Sequence, residues 1–114
     1  MMIKTEEEAL NACLELPFTY SDRPFGPEWC VVRHRENDKI FAMLFEREGN
    51  VWMNLKADPI AAELWRSIYP SVLPAYHMNK VHWISVILDG KMEDGDIKRL
   101  IAESYDLTAK KKRG

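Results

Sequence analysis

The sequence predicts an α+β domain that spans residues 1–114 and forms a two-layer α/β sandwich with a five-stranded antiparallel sheet. The chain has 114 residues, of which 46% are apolar and 30% are charged, and this is enough to bury one core. Strand patterns follow one another through tight turns, which requires antiparallel neighbours. Other segments carry single apolar stripes at helical spacing, as helices that cover one face of a sheet do. The predicted order of elements is α-β3-α-β2-α.

The amino-terminal segment is predicted to contain a helix followed by a long loop. The helix is expected to start at Thr5, because the Thr hydroxyl can cap it while the Glu8 carboxylate reaches back to the cap. Its apolar stripe consists of Leu10, Cys13 and Leu14. Residues 20–27 contain two prolines and a glycine, so we predict an irregular loop, which Tyr20 and Phe25 pin to the core.

Three strands are predicted next, at residues 29–33, 39–46 and 51–56. The two connections between them are hairpin-like, because residues 36–38 and 48–50 include Asn, Asp and Gly, which tolerate left-handed backbone conformations. In the second strand one face is predicted to carry Phe41, Met43 and Phe45. In the third strand one face carries Val51, Met53 and Leu55, and the other carries Trp52, Asn54 and Lys56.

A second helix is predicted from Asp58-Pro59, an N-cap followed by proline at the first helical position. Pro70 closes this helix, and its predicted apolar stripe is Ala61, Leu64, Trp65 and Ile68. Residues 71–76 favour an edge strand, because Pro74 has no amide donor for a central ladder.

The last two elements are predicted to be a core strand and a helix. Residues 83–89 alternate as a strand does and end in Asp89-Gly90, a turn pair. The final helix begins with acidic residues near Glu93, and its apolar stripe is Ile97, Leu100, Ile101 and Tyr105.

The charge distribution disfavours tight binding to duplex nucleic acid. The net charge is −2, and residues 1–30 hold two basic and six acidic side chains. Non-specific affinity for nucleic acid needs clustered Lys and Arg. The longest like-charge run is the tail Lys110-Lys111-Lys112-Arg113, so residues 107–114 are predicted to form a solvated basic tail. No apolar run suggests a membrane span or a secretory signal, and a cytoplasmic protein is expected.

Motifs for metal binding or catalysis are not found. Cys13 and Cys30 are 17 apart without a CxxC pair and are predicted to be buried thiols. His77 and His82 are five apart, which suits neither one helix face nor one strand face, so no metal site is predicted. Ser85 lies on the opposite strand face from His82 by parity, without a GxSxG signature. We therefore expect no enzyme activity, no metal and no cofactor.

Several short motifs resemble the MmcQ/YjbR family of small bacterial proteins. The most specific is Asn79-Lys80-x-His82-Trp83 followed by Leu88-Asp89-Gly90, with Ser104-Tyr105 further on. Residues 24–26, 39–42 and 54–56 also look like that family, although Glu93 stands where members often place a helix-starting proline. The resemblance implies an α-β3-α-β2-α fold of the type shared with secretion chaperones. It also implies DNA binding, the function with which the family is commonly labelled.

The first functional hypothesis is a DNA-binding or regulatory accessory protein that contacts nucleic acid weakly through the NK-x-HW loop. Lys and His side chains can contact phosphates, Asn can pair with an adenine edge, and Trp can stack on unpaired bases. The candidate nucleic-acid-binding residues are Asn79, Lys80, His82, Trp83, Arg33, Lys56 and Lys91. A structural alternative is that the Asn79 side chain caps a turn, His82 donates to a carbonyl and Trp83 packs at the entry of a strand.

The second hypothesis is a module that binds a protein partner or forms a homodimer. If the helices cover one face of the sheet, the other face is open. This face is too apolar for a solvated surface, and exposed apolar patches are typical of interfaces. The candidate interface residues are Trp52, Asn54, Ser85 and Ile87, with Trp83 beside them. The sequence leaves open whether a loop covers this face.

Overall fold

The computed structural model of the chain describes residues 2–110. Its elements are α1 (Glu6–Leu14), β1 (Thr19–Asp22), β2 (Cys30–His34), β3 (Ile40–Arg47), β4 (Asn50–Lys56), α2 (Pro59–Ile68), β5 (Val72–Pro74), β6 (Trp83–Ile87) and α3 (Asp94–Thr108). Part of the predicted basic tail, residues 111–114, lies outside the described residues, and residues 107 and 108 belong to α3. Within residues 2–110 no helix is long and apolar enough to cross a membrane.

The sheet has six strands in the order β1-β2-β3-β4-β6-β5, and every neighbouring pair is antiparallel. The predicted α+β class and antiparallel sheet are confirmed, whereas the count of five strands was wrong. The additional strand is β1, which pairs with β2 along its whole length. Residues 19–22 precede the prolines and the glycine of the predicted loop. The prolines and the glycine therefore do not prevent residues 19–22 from forming an edge strand. Phe25, which we expected to pin the loop, is 62% exposed.

The helix starts and the tightest turn follow the sequence prediction. The Thr5 hydroxyl accepts from the backbone N–H of Glu8 at 3.1 Å, and the Glu8 carboxylate accepts from the backbone N–H of Thr5 at 3.0 Å. The Asp58 carboxylate caps α2 by accepting from two backbone N–H groups at 3.1 Å. Between β3 and β4 the residues Glu48 and Gly49 both have positive φ, as a two-residue hairpin turn requires.

The core lies between one face of the sheet and the helices, and α2 contributes to it differently from the prediction. The apolar residues of α2 that we expected to pack together do not share a buried face. Ala62 is buried and Trp65 packs against the core, whereas the exposed residues include Ile60, Leu64 and Ile68. The helix contacts the edge strand β5, so only a narrow side of it meets the sheet.

A β-bulge changes the predicted face of Phe41. The register between β2 and β3 shifts between Val32 and Arg33, where Val32 pairs with Ala42 and Arg33 with Ile40. Phe41 is the extra residue, and its ring lies 5.4 Å from that of Tyr105 on α3. Phe41 therefore faces the helices, whereas Met43 and Phe45, its predicted companions, lie on the other face of the sheet.

Helix α3 is joined to the sheet by buried side-chain hydrogen bonds. The Ser104 hydroxyl donates to the Phe41 carbonyl at 2.5 Å and accepts from the Lys56 backbone N–H at 2.9 Å. One turn later, the Thr108 hydroxyl lies 2.8 Å from Nε2 of His34. These contacts connect the helix to the ends of three adjacent strands.

Both thiols are predicted to be inert in the folded protein. Cys13 is 0% exposed and Cys30 is 2% exposed. Burial raises the pKa of Cys13 to about 12, and it raises the pKa of Cys30 as well. Because the thiolate is the reactive form, Ellman's reagent should modify neither cysteine in native buffer and both in denaturant. Rapid labelling of the native protein would contradict this prediction.

Candidate functional site

Two of the four NK-x-HW side chains hold the turn before β6. The Asn79 side-chain oxygen accepts from the backbone N–H groups of Val81 at 2.9 Å and His82 at 3.2 Å. The Lys80 ammonium donates to the carbonyl oxygen of Ala75 at 2.8 Å. Asn79 therefore caps the turn, as the structural alternative proposes, and Lys80 also fixes the local backbone.

The structure brings some of the predicted nucleic-acid-binding residues together and separates others. His82 is exposed, and it precedes Trp83, which lies opposite Lys56 in the β4–β6 register. Arg33 is at the same end of the sheet but two strands from Lys56 and three from Trp83, and its Nε donates to the Asp22 carboxylate at 3.0 Å. Lys91 follows the other end of β6, so it cannot share a surface with this group.

The predicted open face of the sheet is covered, which corrects the basis of the protein-binding hypothesis. Trp52 is 6% exposed, and Asn54 and Ser85 are fully buried. Ile87 remains half-buried. The outer face, meaning the sheet face away from the helices, is covered by the turn after β5 and by the segment before β2. A homodimer built on these residues would first require that cover to move.

A buried polar network holds the covering turn in place. The Asn54 amide donates to the Tyr76 carbonyl at 2.9 Å. The Tyr76 backbone N–H donates to the Ser85 hydroxyl at 2.9 Å, and that hydroxyl donates to the Asn54 side-chain oxygen. Each polar group of Asn54 and Ser85 thus meets either its partner or the backbone of Tyr76. This network explains two polar residues in the middle of central strands.

Tyr76 is the centre of an aromatic cluster on the outer face. Its ring stacks on Phe45 with centroids 5.8 Å apart and lies 6.2 Å from the ring of Trp52. The Arg47 guanidinium lies 4.3 Å from the Tyr76 centroid and 5.2 Å from the Trp52 centroid. The Trp29 ring lies 4.4 Å from that of Phe45 and extends the cluster towards the loop before β2.

A cleft of about 610 Å³ opens beside this cluster. We call it the aromatic cleft, and its principal lining residues are Pro27, Trp29, Phe45, Arg47, Tyr76 and His77. A smaller hollow of about 150 Å³ shares Trp29, Tyr76 and His77 with it. The volume of the aromatic cleft falls within the range of sites that bind small ligands.

The rim of the aromatic cleft is acidic. It includes Glu6, Glu28 and Glu46. The Glu6 carboxylate pairs with Arg23, and the Arg47 guanidinium pairs with Glu48 at 3.0 Å. Glu28 and Glu46 are exposed, and neither forms an ion pair within residues 2–110. Two carboxylates therefore remain uncompensated at the entrance.

Two buried donors next to the cleft have no hydrogen-bond partner among the described residues. They are Nε of Arg47 and Nε1 of Trp52. Buried donors are usually satisfied, so the hydrogen bonding of this cluster is incomplete among the described residues. No group of three or more His, Cys, Asp or Glu side chains in the described part of the chain could hold a metal ion.

His77 adopts a backbone conformation that is costly for a residue with a side chain. Its φ is +61°, in the left-handed region, and its ring lies 3.9 Å from that of Tyr76. Such strain costs a residue other than glycine about 1–3 kcal/mol and tends to occur at functional sites. The aromatic cleft thus contains a strained residue in its wall.

A comparison of His77→Gly with His77→Ala should reveal this strain. Both variants lose the imidazole, but only glycine adopts the left-handed conformation freely, so the Gly variant should be more stable by about 1 kcal/mol. Urea denaturation measures the difference. Phe18→Gly and Phe18→Ala are the control for the backbone effect, because Phe18 also has a positive φ, +56°, and lies far along the chain from the cleft turn. An Ala variant as stable as the Gly variant would show that His77 is unstrained.

None of the residues that line the aromatic cleft, among them Trp29, Phe45 and Arg47, is a predicted site candidate. The sequence signal for two of them is the alternation of β3, which places Met43, Phe45 and Arg47 on the outer face. Trp29 belongs to an irregular segment, and no local pattern predicts its contact with Phe45.

Comparison with known proteins identifies the family. The YjbR family model matches residues 14–107. Uncharacterized protein YbdF of Escherichia coli O157:H7 is 43% identical over 101 residues, covering 89% of this chain and 81% of the relative. Uncharacterized protein YjbR of Escherichia coli strain K12 is 35% identical over 101 residues, covering 89% of this chain and 84% of the relative.

The fold comparison agrees with the sequence comparison. The crystal structure of Deinococcus radiodurans protein DR2400 superposes with a TM-score of 0.85 and 31% sequence identity, covering 96% of this chain and 81% of that protein. The family match includes the buried polar network of Asn54, Tyr76 and Ser85 and every lining residue of the aromatic cleft except Glu6, which precedes the match. The chain therefore belongs to the YjbR family.

Proposed function

We propose that this protein is a non-catalytic binding protein that holds a small ligand in the aromatic cleft. The observation that carries the proposal is the way the cleft wall is built. Tyr76 is fixed by three hydrogen bonds of a buried network, two of them to its own backbone, and its ring stacks on Phe45 and the Arg47 guanidinium. A wall fixed in this way loses little conformational entropy when a ligand binds, which favours affinity.

The composition of the cleft favours binding over covalent catalysis. Catalysis by a hydroxyl or thiol nucleophile of the usual kind needs a Ser, Thr or Cys side chain held by a base, and none of these residue types lines the aromatic cleft. The nearby Ser85 hydroxyl is buried and is engaged with Asn54 and Tyr76. We therefore assign the cleft a binding role.

A fragment screen by ligand-observed NMR tests this proposal. Fragments that bind the wild-type protein should lose most of their affinity for Trp29→Ala, because one wall of the cleft is removed. Leu64→Ala is the control, since it removes an exposed apolar side chain from α2, outside the cleft. Fragments that bind Trp29→Ala as well as they bind wild type, or a screen without any hits, would refute the proposal.

DNA binding is the second candidate, and the grouping of His82, Trp83 and Lys56 at one end of the sheet favours it. A lysine that contacts phosphate releases counterions. Its loss should therefore weaken binding and reduce the slope of log affinity against log salt concentration by about one. Trp83 could add stacking on an unpaired base, which contributes about 1–3 kcal/mol in proteins built for it. The acidic net charge of −2 limits the affinity to be expected.

Fluorescence anisotropy with single- and double-stranded oligonucleotides, titrated with salt, tests the second candidate. Lys56→Ala should weaken binding, and Lys91→Ala should not, because Lys91 lies beyond the opposite end of β6. The pair is matched in charge. Lys80→Ala is unsuitable, since it also removes the hydrogen bond to Ala75. Equal effects of Lys56→Ala and Lys91→Ala, or no binding at low salt, would exclude this surface.

A further inference from the structure

We propose that the aromatic cleft selects an organic cation, namely a small ligand with a primary amine or guanidinium group on an apolar body. The inference rests on the proposed function of the cleft as a binding site, and it specifies the ligand class. Three features of the described residues support it. Among these residues, two lining carboxylates have no ion-pair partner, part of the aromatic surface has no Arg or Lys over it, and the Arg47 guanidinium already contacts Glu48.

The first feature is the charge at the entrance. Two of the three rim carboxylates, those of Glu28 and Glu46, have no ion-pair partner within the described range. The guanidinium of Arg47 is offset by Glu48, and the Glu6 carboxylate is offset by Arg23, so the His77 imidazole is the remaining lining group that can carry a positive charge. The uncompensated charge therefore attracts cations and disfavours carboxylates and phosphates.

The second feature is the part of the aromatic surface that lacks a cation of the protein's own. Arg47 lies over Tyr76 and Trp52, which shows that this cluster accommodates a cation against its ring faces. Along residues 2–110 no Arg or Lys lies over Trp29 or Phe45. Tryptophan is the strongest partner for a cation among the aromatic side chains. A ligand cation that stacks on Trp29 would lie close to Glu28, which directly precedes Trp29 in the chain.

The third feature is that Arg47 is poorly placed to receive an anion. Its Nη1 already donates to Glu48 at 3.0 Å, and its Nε is buried. A carboxylate or phosphate that used the guanidinium as a bidentate fork would have to reach the buried edge or displace Glu48. Arg47 thus acts as part of the cleft floor.

Three probes of nearly the same apolar shape separate the charge classes: phenethylamine, phenylethanol and phenylpropionate. Calorimetric or NMR titration should give the tightest binding for phenethylamine, about tenfold weaker binding for phenylethanol, and the weakest for phenylpropionate. The advantage of phenethylamine should shrink as salt is added, because exposed charges are screened.

The double variant Glu28→Gln plus Glu46→Gln should lower the affinity for phenethylamine about tenfold and leave that for phenylethanol unchanged. Glu63→Gln is the control for the loss of a carboxylate elsewhere on the surface, because Glu63 is an exposed acid on α2 outside the cleft. If all three probes bind equally and all are lost in Trp29→Ala, the cation preference is refuted while the cleft remains a binding site. If none of the probes binds at millimolar concentration, the cation proposal fails, and the fragment screen alone decides the proposed function. If probe binding survives Trp29→Ala, both proposals fail.

Discussion

Replacing Asn54 by Leu is expected to lower the free energy of unfolding by about 2–4 kcal/mol and to release one wall of the aromatic cleft. Asn54 is fully buried, and its amide and carbonyl groups bond the Tyr76 carbonyl and the Ser85 hydroxyl. Leucine has a similar size but offers neither bond. Two buried polar groups then lose a partner, and each unsatisfied group costs about 1–3 kcal/mol.

The substitution should affect the cleft as well as stability. The Tyr76 ring is held over Phe45 and beside Arg47 by its own backbone contacts with Asn54 and Ser85. Without Asn54 the turn can move away from the sheet, and ligands of the cleft should bind more weakly at a temperature where the variant is still folded.

Urea denaturation and ligand titration measure these two effects together. Met43→Leu is the matched control, because Met43 is the direct neighbour of Asn54 in the β3–β4 register and the change conserves apolar volume. The control should cost less than about 1.5 kcal/mol and leave the Tyr76 turn in place. An Asn54→Leu variant as stable as Met43→Leu would mean that the network does not hold the turn.

Local sequence rules predicted most of the fold because each feature depends on a few neighbouring residues. The capping box at Thr5, the Asp58-Pro59 helix start and the Glu48-Gly49 hairpin all follow from side-chain chemistry within four residues. The failures involve contacts between distant segments. Strand β1 requires β2 as a partner, and Phe41 changes face because of a bulge that only pairing with β2 produces.

The candidate site was harder to predict for the same reason. The aromatic cleft draws Trp29, Phe45 with Arg47, and Tyr76 with His77 from three separate segments of the chain. Asn54 and Ser85 lie in strands whose alternation predicted an open face, and only the contacts of the Tyr76 backbone show that a turn covers it. Polar residues in the middle of central strands were the available signal, since buried polar groups need partners.

The family resemblance points to the scaffold more than to the cleft. Among its motif residues, Asn79 caps the turn before β6, Lys80 bonds the Ala75 carbonyl, and Ser104 joins α3 to β3 and β4. Short motifs are recognisable because such contacts tolerate few residue types. A binding surface built from dispersed aromatic residues produces no comparable motif. The sequence therefore places the functional hypothesis on the NK-x-HW segment and not on the aromatic cleft.

Replacing Ser104 by Ala is expected to lower the free energy of unfolding by about 2–4 kcal/mol, the other large effect in this protein. The Ser104 hydroxyl donates to the Phe41 carbonyl and accepts from the Lys56 backbone N–H. Ser104 is fully buried, so water cannot replace the hydroxyl without opening the helix–sheet interface. Alanine leaves a carbonyl of β3 and an amide of β4 unsatisfied at the same point.

Chemical denaturation of Ser104→Ala beside Ser67→Ala isolates this effect. The Ser67 hydroxyl also donates to a helix carbonyl, that of Leu64 at 2.6 Å, but it is exposed, so its removal should change stability by no more than about 0.5 kcal/mol. Amide hydrogen exchange adds a local measurement, because the Lys56 amide should lose protection in Ser104→Ala before the strand centres do. If the two alanine variants are equally stable, the hydroxyl of Ser104 does not hold α3 on the sheet, and burial of Leu100 and Ile101 must account for that attachment.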